Sequence, residues 1–402
     1  MRSSQRIPRA LLLILVNLAI FALLLVVVES ISAWFVDKPG GTFRPHYYLN
    51  HTWKPNFEWD LTRHIQKNPE FPEAYTMRTN AQGWLETYDV TQEKPPGVYR
   101  IFYVGDSFTQ GTCPMDRSVA SVVERGLNER AAGTGTRFEV INTGTASYSP
   151  VLYYLLLRHV LVDYEPDLIV VNVDLTDDFD DWKYGQTLIL DEDGNPFAAP
   201  KRSILDASFL DTVDGPVEMT SLIRLQLFLY QNSYTYNLIM NRWAGGDEDG
   251  QRRLDERRAS GGAYKRWAWC QETWDPETWE NAGKTLDTLR RLAALSDKHG
   301  IRVMMTSVPH YWNYAENRFG TGKPKFTDRP HVAVAELASE LEVPYLNSFE
   351  ALKPHVAGTP QSRYYFADNI HFNPRGYAIW AEAHLSFLLD SGNDLLPAEL
   401  YR

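Results

Sequence analysis

The chain has 402 residues, 44% of them apolar and 23% charged, enough apolar side chain to bury a large core in one large domain or two small ones. That composition excludes a disordered chain. Its formal net charge of −11, with no visible cluster of Lys and Arg, argues against a nucleic-acid partner, because phosphate recognition gathers basic groups on one face.

Arg2, Arg6 and Arg9 precede an apolar run from Ala10 to Val28 whose only polar member is Asn17. As a helix these 19 residues would cover about 28 Å, close to one hydrocarbon thickness. The arginines before the run, with none in the ten residues after it, place the amino terminus in the cytoplasm and the remaining chain in the periplasm or outside the cell. Residues 1–30 are therefore expected to be a single-pass inner-membrane anchor. A cleaved signal peptide shares the basic start, but this apolar core is long and no convincing small-x-small site precedes Trp34.

Residues 31–98, rich in Pro, Asn, His and aromatics, carry no sustained period and read as a loop-rich lead-in. From residue 99 to about 390, short apolar runs alternate with helical patterns, the sign of parallel β-α units. Strands are predicted at Tyr99–Gly105, Phe138–Thr143, Leu168–Asp174, Arg302–Pro309 and Pro344–Asn347. Helices are predicted at Ser118–Ala131, Pro150–Val162, Pro276–His299, His331–Leu341 and Pro374–Leu389. The fold class is α/β, a doubly wound five-stranded parallel sheet. Residues 182–275 interrupt the rhythm with a hairpin signal at Leu190–Pro196, an apolar-aromatic helix near Ser221–Trp243 and a charged Gly-Asp-Glu-Asp-Gly loop. That insertion reads either as a helical side layer or as a lid. Residues 391–402 form a tail.

The first predicted strand runs into Gly105-Asp106-Ser107 and then a helical segment, which puts the Ser107 hydroxyl at the carboxyl end of a strand, where open α/β sheets hold their chemistry. A serine hydroxyl attacks only when a base takes its proton and that base is held in one orientation. Asp368-Asn369-Ile370-His371 supplies both groups from one segment. The α/β-hydrolase elbow Gly-x-Ser-x-Gly does not fit, because Thr109 stands at the second glycine.

Together these blocks resemble the SGNH hydrolases, also called GDSL esterases and lipases, and in particular membrane-anchored bacterial members. Phe372-Asn373-Pro374-Arg375-Gly376-Tyr377 is similar to the stretch after their catalytic histidine, and Arg78–Trp84 to an element that precedes their catalytic domain. The resemblance implies a flavodoxin-like sheet order, Ser107 as nucleophile, His371 as base and acid, and Asp368 as its orienter. It implies an oxyanion hole from the Ser107 N–H, the Gly144 N–H and a third donor. Where relatives carry Gly-x-Asn-Asp, this chain has Asp174-Leu175-Thr176-Asp177-Asp178, with Asp177 taken at the asparagine position. Three readings stay open there: a neutral Asp177 that donates, Thr176 or another N–H in its place, or lost activity.

Asp174, Asp177, Asp178, Asp180 and Asp181 lack calcium-loop spacing and are expected to form a solvated, cap-forming loop, so no metal and no cofactor is expected. His310 at the end of the fourth strand reads first as a loop histidine and second as a substrate contact, a role also open to Thr176. The two cysteines, Cys113 and Cys270, suit a disulfide or two buried thiols. Twelve tryptophans and 22 tyrosines tilt the substrate towards a glycan. The expected activity is ester hydrolysis through an acyl-enzyme, with O-acyl transfer to a polysaccharide, or a catalytically silent glycan-binding protein, as alternatives. The expected partners are an acylated small molecule or polysaccharide and, through the amino-terminal helix, a membrane.

Overall fold

Five short apolar runs assemble into one parallel sheet: β1 (Val98–Val104), β2 (Arg137–Asn142), β3 (Leu168–Val173), β4 (Arg302–Ser307) and β5 (Tyr345–Leu346), in the order β5-β4-β3-β1-β2. This is a doubly wound sheet, as the alternating runs predict, in the flavodoxin-like order that the resemblance implies. The computed structural model describes residues 9–35, 42–60, 75–200, 225, 228, 229, 232–243, 266–314, 327–366 and 370–401. Every residue of β3 is buried, as a strand covered by helices on both faces requires.

The helices are α1 (Arg9–Ser32), α2 (Ser107–Gln110), α3 (Val119–Arg130), α4 (Pro150–His159), α5 (Asp177–Gly185), α6 (Tyr234–Trp243), α7 (Pro276–Lys298), α8 (Arg329–Glu340), α9 (Ser348–Val356) and α10 (Pro374–Leu388). Alternation along β1 sends Phe102 and Val104 to the core shared with α4, α7 and α8, and Ile101 and Tyr103 to the core shared with α3, α9 and α10. Ser118, Asp275 and Asn373 cap α3, α7 and α10 through their side chains, and the last two precede prolines set at the first helical position. The carboxyl-terminal tail is not loose: Leu395, Leu396 and Leu400 are buried in the second core.

The chain divides into two compact units, one of residues Met1–Arg44 with Arg202–Gly262 and one of Pro45–Lys201 with Ala263–Arg402. The sheet and its helices lie in the second. In the first, α1 is apolar all round, with Leu13, Phe21, Leu24 and Ile31 about half exposed or more. Its stretch Leu15–Ser32 has a mean hydropathy of 2.4, long and apolar enough to cross a membrane. The hairpin pairs Ile189–Leu190 with Pro196–Ala198, as its turn residues predict. The charged Gly-Asp-Glu-Asp-Gly loop and most of the predicted Ser221–Trp243 helix before residue 232 lie outside the described residues.

The acidic run is not a solvated loop: Asp174, Asp177, Asp178, Asp180 and Asp181 are all buried, and the last four lie on α5. Carboxylates in a first turn favour a helix through its macrodipole, and these have structural partners besides. Asp181 Oδ1 accepts from the Val151 N–H at 2.9 Å, capping α4 from a neighbouring helix where Ser149 makes no cap bond of its own. Cys113 and Cys270 are both buried free thiols.

Candidate active site

Strand β1 ends at Val104, and the chain turns at Gly105, where a Cβ would lie 2.0 Å from Thr109 Oγ1. Asp106 caps α2, its Oδ1 accepting from the Phe108 N–H at 2.9 Å, so Ser107 stands at the first position of that helix. The strand order reverses between β1 and β3, the switch point beyond whose carboxyl ends open α/β sheets place their sites, and Ser107 follows β1 there.

His371 reaches Ser107 from the segment that leads into α10. Its Nε2 lies 2.7 Å from Ser107 Oγ, and the hydroxyl also faces Asp106 Oδ2 at 3.2 Å. Two bonds hold the serine and histidine segments together: Tyr377 Oη donates to the Phe108 carbonyl and Thr112 Oγ1 to the Phe372 carbonyl. Burial pushes His371 down to about 4, with Asp174 pulling it up and His310 pressing it down. The imidazole is thus neutral at pH 7 and able to accept a proton. Burial and the nearby Asp174 charge push Asp106 well above the usual carboxylate range. Asp368 lies outside the described residues.

Gly144 follows β2, as predicted, and lies against the end of α2. A Cβ there would sit 2.2 Å from the Gln110 nitrogen. Its N–H donates to Asn142 Oδ1 at 2.9 Å. The Ser107 N–H has no hydrogen-bond partner among the described residues.

The loop after β3 closes on itself. Asp174 Oδ2 accepts from both the N–H and the hydroxyl of Thr176, at 2.9 and 2.6 Å. Asp177 accepts from Tyr153 Oη at 3.2 Å and from the Asp174 N–H at 3.0 Å. Burial, then the charges of Asp174, Asp106 and Asp181, raise Asp177 well above its usual range. Neither Thr176 nor Asp177 hydrogen-bonds Ser107 among the described contacts.

His310 is fully buried, contrary to a plain loop histidine. Its Nε2 pairs with Asp174 Oδ1 at 2.6 Å, and its ring stacks on Phe108 at 5.0 Å, while Phe108 tilts against His371 at 4.8 Å. Trp267 and Trp312 meet the His310 ring edge-on. Asp174, which the sequence groups with the acidic run, pairs with His310 instead. Its signal in the sequence is a carboxylate directly after a wholly apolar strand, a costly place for a charge unless it is paired. Burial alone would raise it, but His310 and Thr176 outweigh that and hold it below its usual range, ionised. Among the described residues no three His, Cys, Asp or Glu side chains gather as a metal site.

No family model matches the chain, and no curated protein matches it. Among solved structures it is similar to an acetylxylan esterase from Geobacillus stearothermophilus, at 12% identity and a TM-score of 0.40 over 75% of this chain and 97% of that one. A putative GDSL-like lipase from Parabacteroides merdae gives 12% identity and a TM-score of 0.39 over 74% and 96% of the two chains. A two-domain esterase active on acetylated mannans gives 13% identity and 0.38 over 74% of this chain and 50% of that one.

Proposed function

We propose that the chain is a serine hydrolase of the SGNH type that cleaves an ester through an acyl-enzyme. The observation that carries this reading is the 2.7 Å approach of Ser107 Oγ to His371 Nε2 at the carboxyl edge of a doubly wound sheet. A neutral, buried imidazole takes the serine proton as the hydroxyl attacks the carbonyl carbon. Asp368, three residues earlier on the same segment, is the proposed orienter of the ring. The oxyanion meets the Ser107 N–H at the start of α2. The Gly144 N–H becomes a second donor only by leaving Asn142 Oδ1. His371 then returns the proton to the departing alkoxide, and water, deprotonated by the same ring, releases the acid. The substrate we propose is an O-acyl group on an envelope glycan, reached by an amino-terminally anchored domain on the periplasmic or outer side.

A catalytically silent glycan-binding role is the second reading, favoured by the engagement of the Gly144 N–H, Thr176 and Asp177 elsewhere. Loss of one oxyanion donor costs about 100- to 1000-fold in rate. A fluorophosphonate probe decides between them. Labelling of the intact protein that disappears in Ser107→Ala supports the hydrolase; an unlabelled parent protein supports the silent reading. Product analysis with an acetylated glycan and a competing sugar acceptor then separates hydrolysis from acyl transfer.

A further inference from the structure

The insertion returns to the anchor. Glu29, one turn before the end of α1, aims its carboxylate at the amino end of α6. Ser233 Oγ donates to Glu29 Oε2 at 3.0 Å and the Thr235 N–H to the same oxygen at 3.2 Å, while the Tyr234 N–H donates to Oε1. Thr235 Oγ1 adds a bond to Ser32 Oγ at 3.1 Å. The first N–H groups of a helix have no partner within it and its amino end favours negative charge, so the Glu29 carboxylate satisfies them. Beside this cap a groove of about 770 Å³ runs between the two segments, lined by Leu25, Val26 and Val28 of α1 and by Phe228, Leu229 and Ile239.

Three large apolar side chains of the insertion, Leu225, Phe228 and Ile239, are more than half exposed. They continue the apolar surface of α1, itself exposed on every face. A helix of that kind is solvated by hydrocarbon. Glu29 lies about 4.5 Å along the axis from the end of α1, which sets the cap at the boundary of the span. The sequence of α6 adds Tyr234, Tyr236, Arg242 and Trp243, residue types that collect at a membrane interface.

We propose that α6 and the residues just before it lie in the membrane interface, with bilayer lipid as their partner, clamped to the anchor by Glu29. The insertion then holds α1 by contacts that a chain cleaved after residue 33 would lack. This inference rests on reading α1 as the anchor and is independent of the chemistry at Ser107.

The test uses the full chain reconstituted in phosphatidylcholine–phosphatidylglycerol vesicles, with an environment-sensitive thiol dye at single introduced cysteines. The native Cys113 and Cys270 are buried and stay silent. Dyes at Phe228→Cys and Ile239→Cys should lose about half their emission to lipid bearing a nitroxide near its headgroup and resist aqueous iodide. A dye at the exposed Val332→Cys should be quenched by iodide, and Glu29→Ala should bring the Ile239→Cys dye to that same iodide sensitivity. Iodide quenching at Phe228→Cys and Ile239→Cys equal to that at Val332→Cys overturns the proposal. Shielding from both quenchers overturns it too, since a protein surface or a second copy then covers the face, and an Ile239→Cys dye unmoved by Glu29→Ala removes the clamp. Leu18→Cys on α1 reports separately: without quenching by the nitroxide lipid, the anchor reading falls and this inference with it.

Discussion

At Gly144 the backbone of one candidate block rests on another, 2.2 Å separating the Gln110 nitrogen from where a methyl group would be. Gly144→Ala must push the loop away from α2, and with it one proposed oxyanion donor. We expect fluorophosphonate acylation to slow by about 100-fold or more, with the protein still folded by circular dichroism; an unchanged rate would show that the Gly144 loop takes no part. His371 gives a second expectation. Acylation needs the neutral imidazole, and burial lowers its value from 6.5 to about 4, so the neutral form persists as pH falls through the ordinary histidine range. Labelling at pH 5.5 should stay within about twofold of that at pH 7.5. A midpoint near 6.5 would mean that the ring is solvated when Ser107 reacts.

Strand β1 shows what a periodic pattern conveys and what it hides. Its alternation sends Phe102 and Val104 one way and Ile101 and Tyr103 the other, and the sheet with its five strands was legible from such runs. Arg100 breaks the pattern, yet it is fully buried, pairing with Glu139 at 2.8 Å and donating to the carbonyls of Thr91 and Tyr164. Among the described residues, Arg100→Leu leaves Glu139 with only the exposed Arg137 as an ion-pair partner and removes the donor to those carbonyls. Breaking a buried pair in this way should cost about 3–5 kcal/mol in urea unfolding, and a cost under 1 kcal/mol would mean that Arg137 and water replace it. Helix α5 stayed hidden for a related reason. Five aspartates in eight residues read as solvated because their partners, Tyr153, Val151 and His310, come from other elements. The serine and histidine were legible because each sits on a local motif. The Asp174–His310 pair was not, since only the sheet order brings the ends of β3 and β4 together. Helix α9 is short and carries an internal proline, which masks its period.

Across the whole molecule, buried titratable groups of two kinds set how stability follows pH, and their signs oppose. His331 and His384, each pushed by burial to about 3, and His371 at about 4, stay neutral in the fold while the unfolded chain protonates them below 6.5. Their contribution is complete above 6.5 and is lost as pH falls towards 3. Asp106, Asp177 and Glu86, raised well above their usual range, and Asp181, raised to about 7, keep protons that the unfolded chain releases near 4. Their contribution is complete below about 4 and is lost as pH rises through each folded value. Between about 4 and 6.5 the two slopes offset each other, so stability should be greatest in mildly acidic solution and fall on both sides. Asp181 isolates one arm. From pH 5 to its folded value of about 7 it alone should remove about 3 kcal/mol, at 1.36 kcal/mol per unit of pH. Asp181→Asn keeps an oxygen to accept from the Val151 N–H and has nothing to ionise. In urea unfolding of the detergent-solubilised chain, the variant should gain on the parent by about 2–3 kcal/mol more at pH 8 than at pH 5. Equal differences at the two pH values would place the Asp181 proton in solvent rather than in the fold.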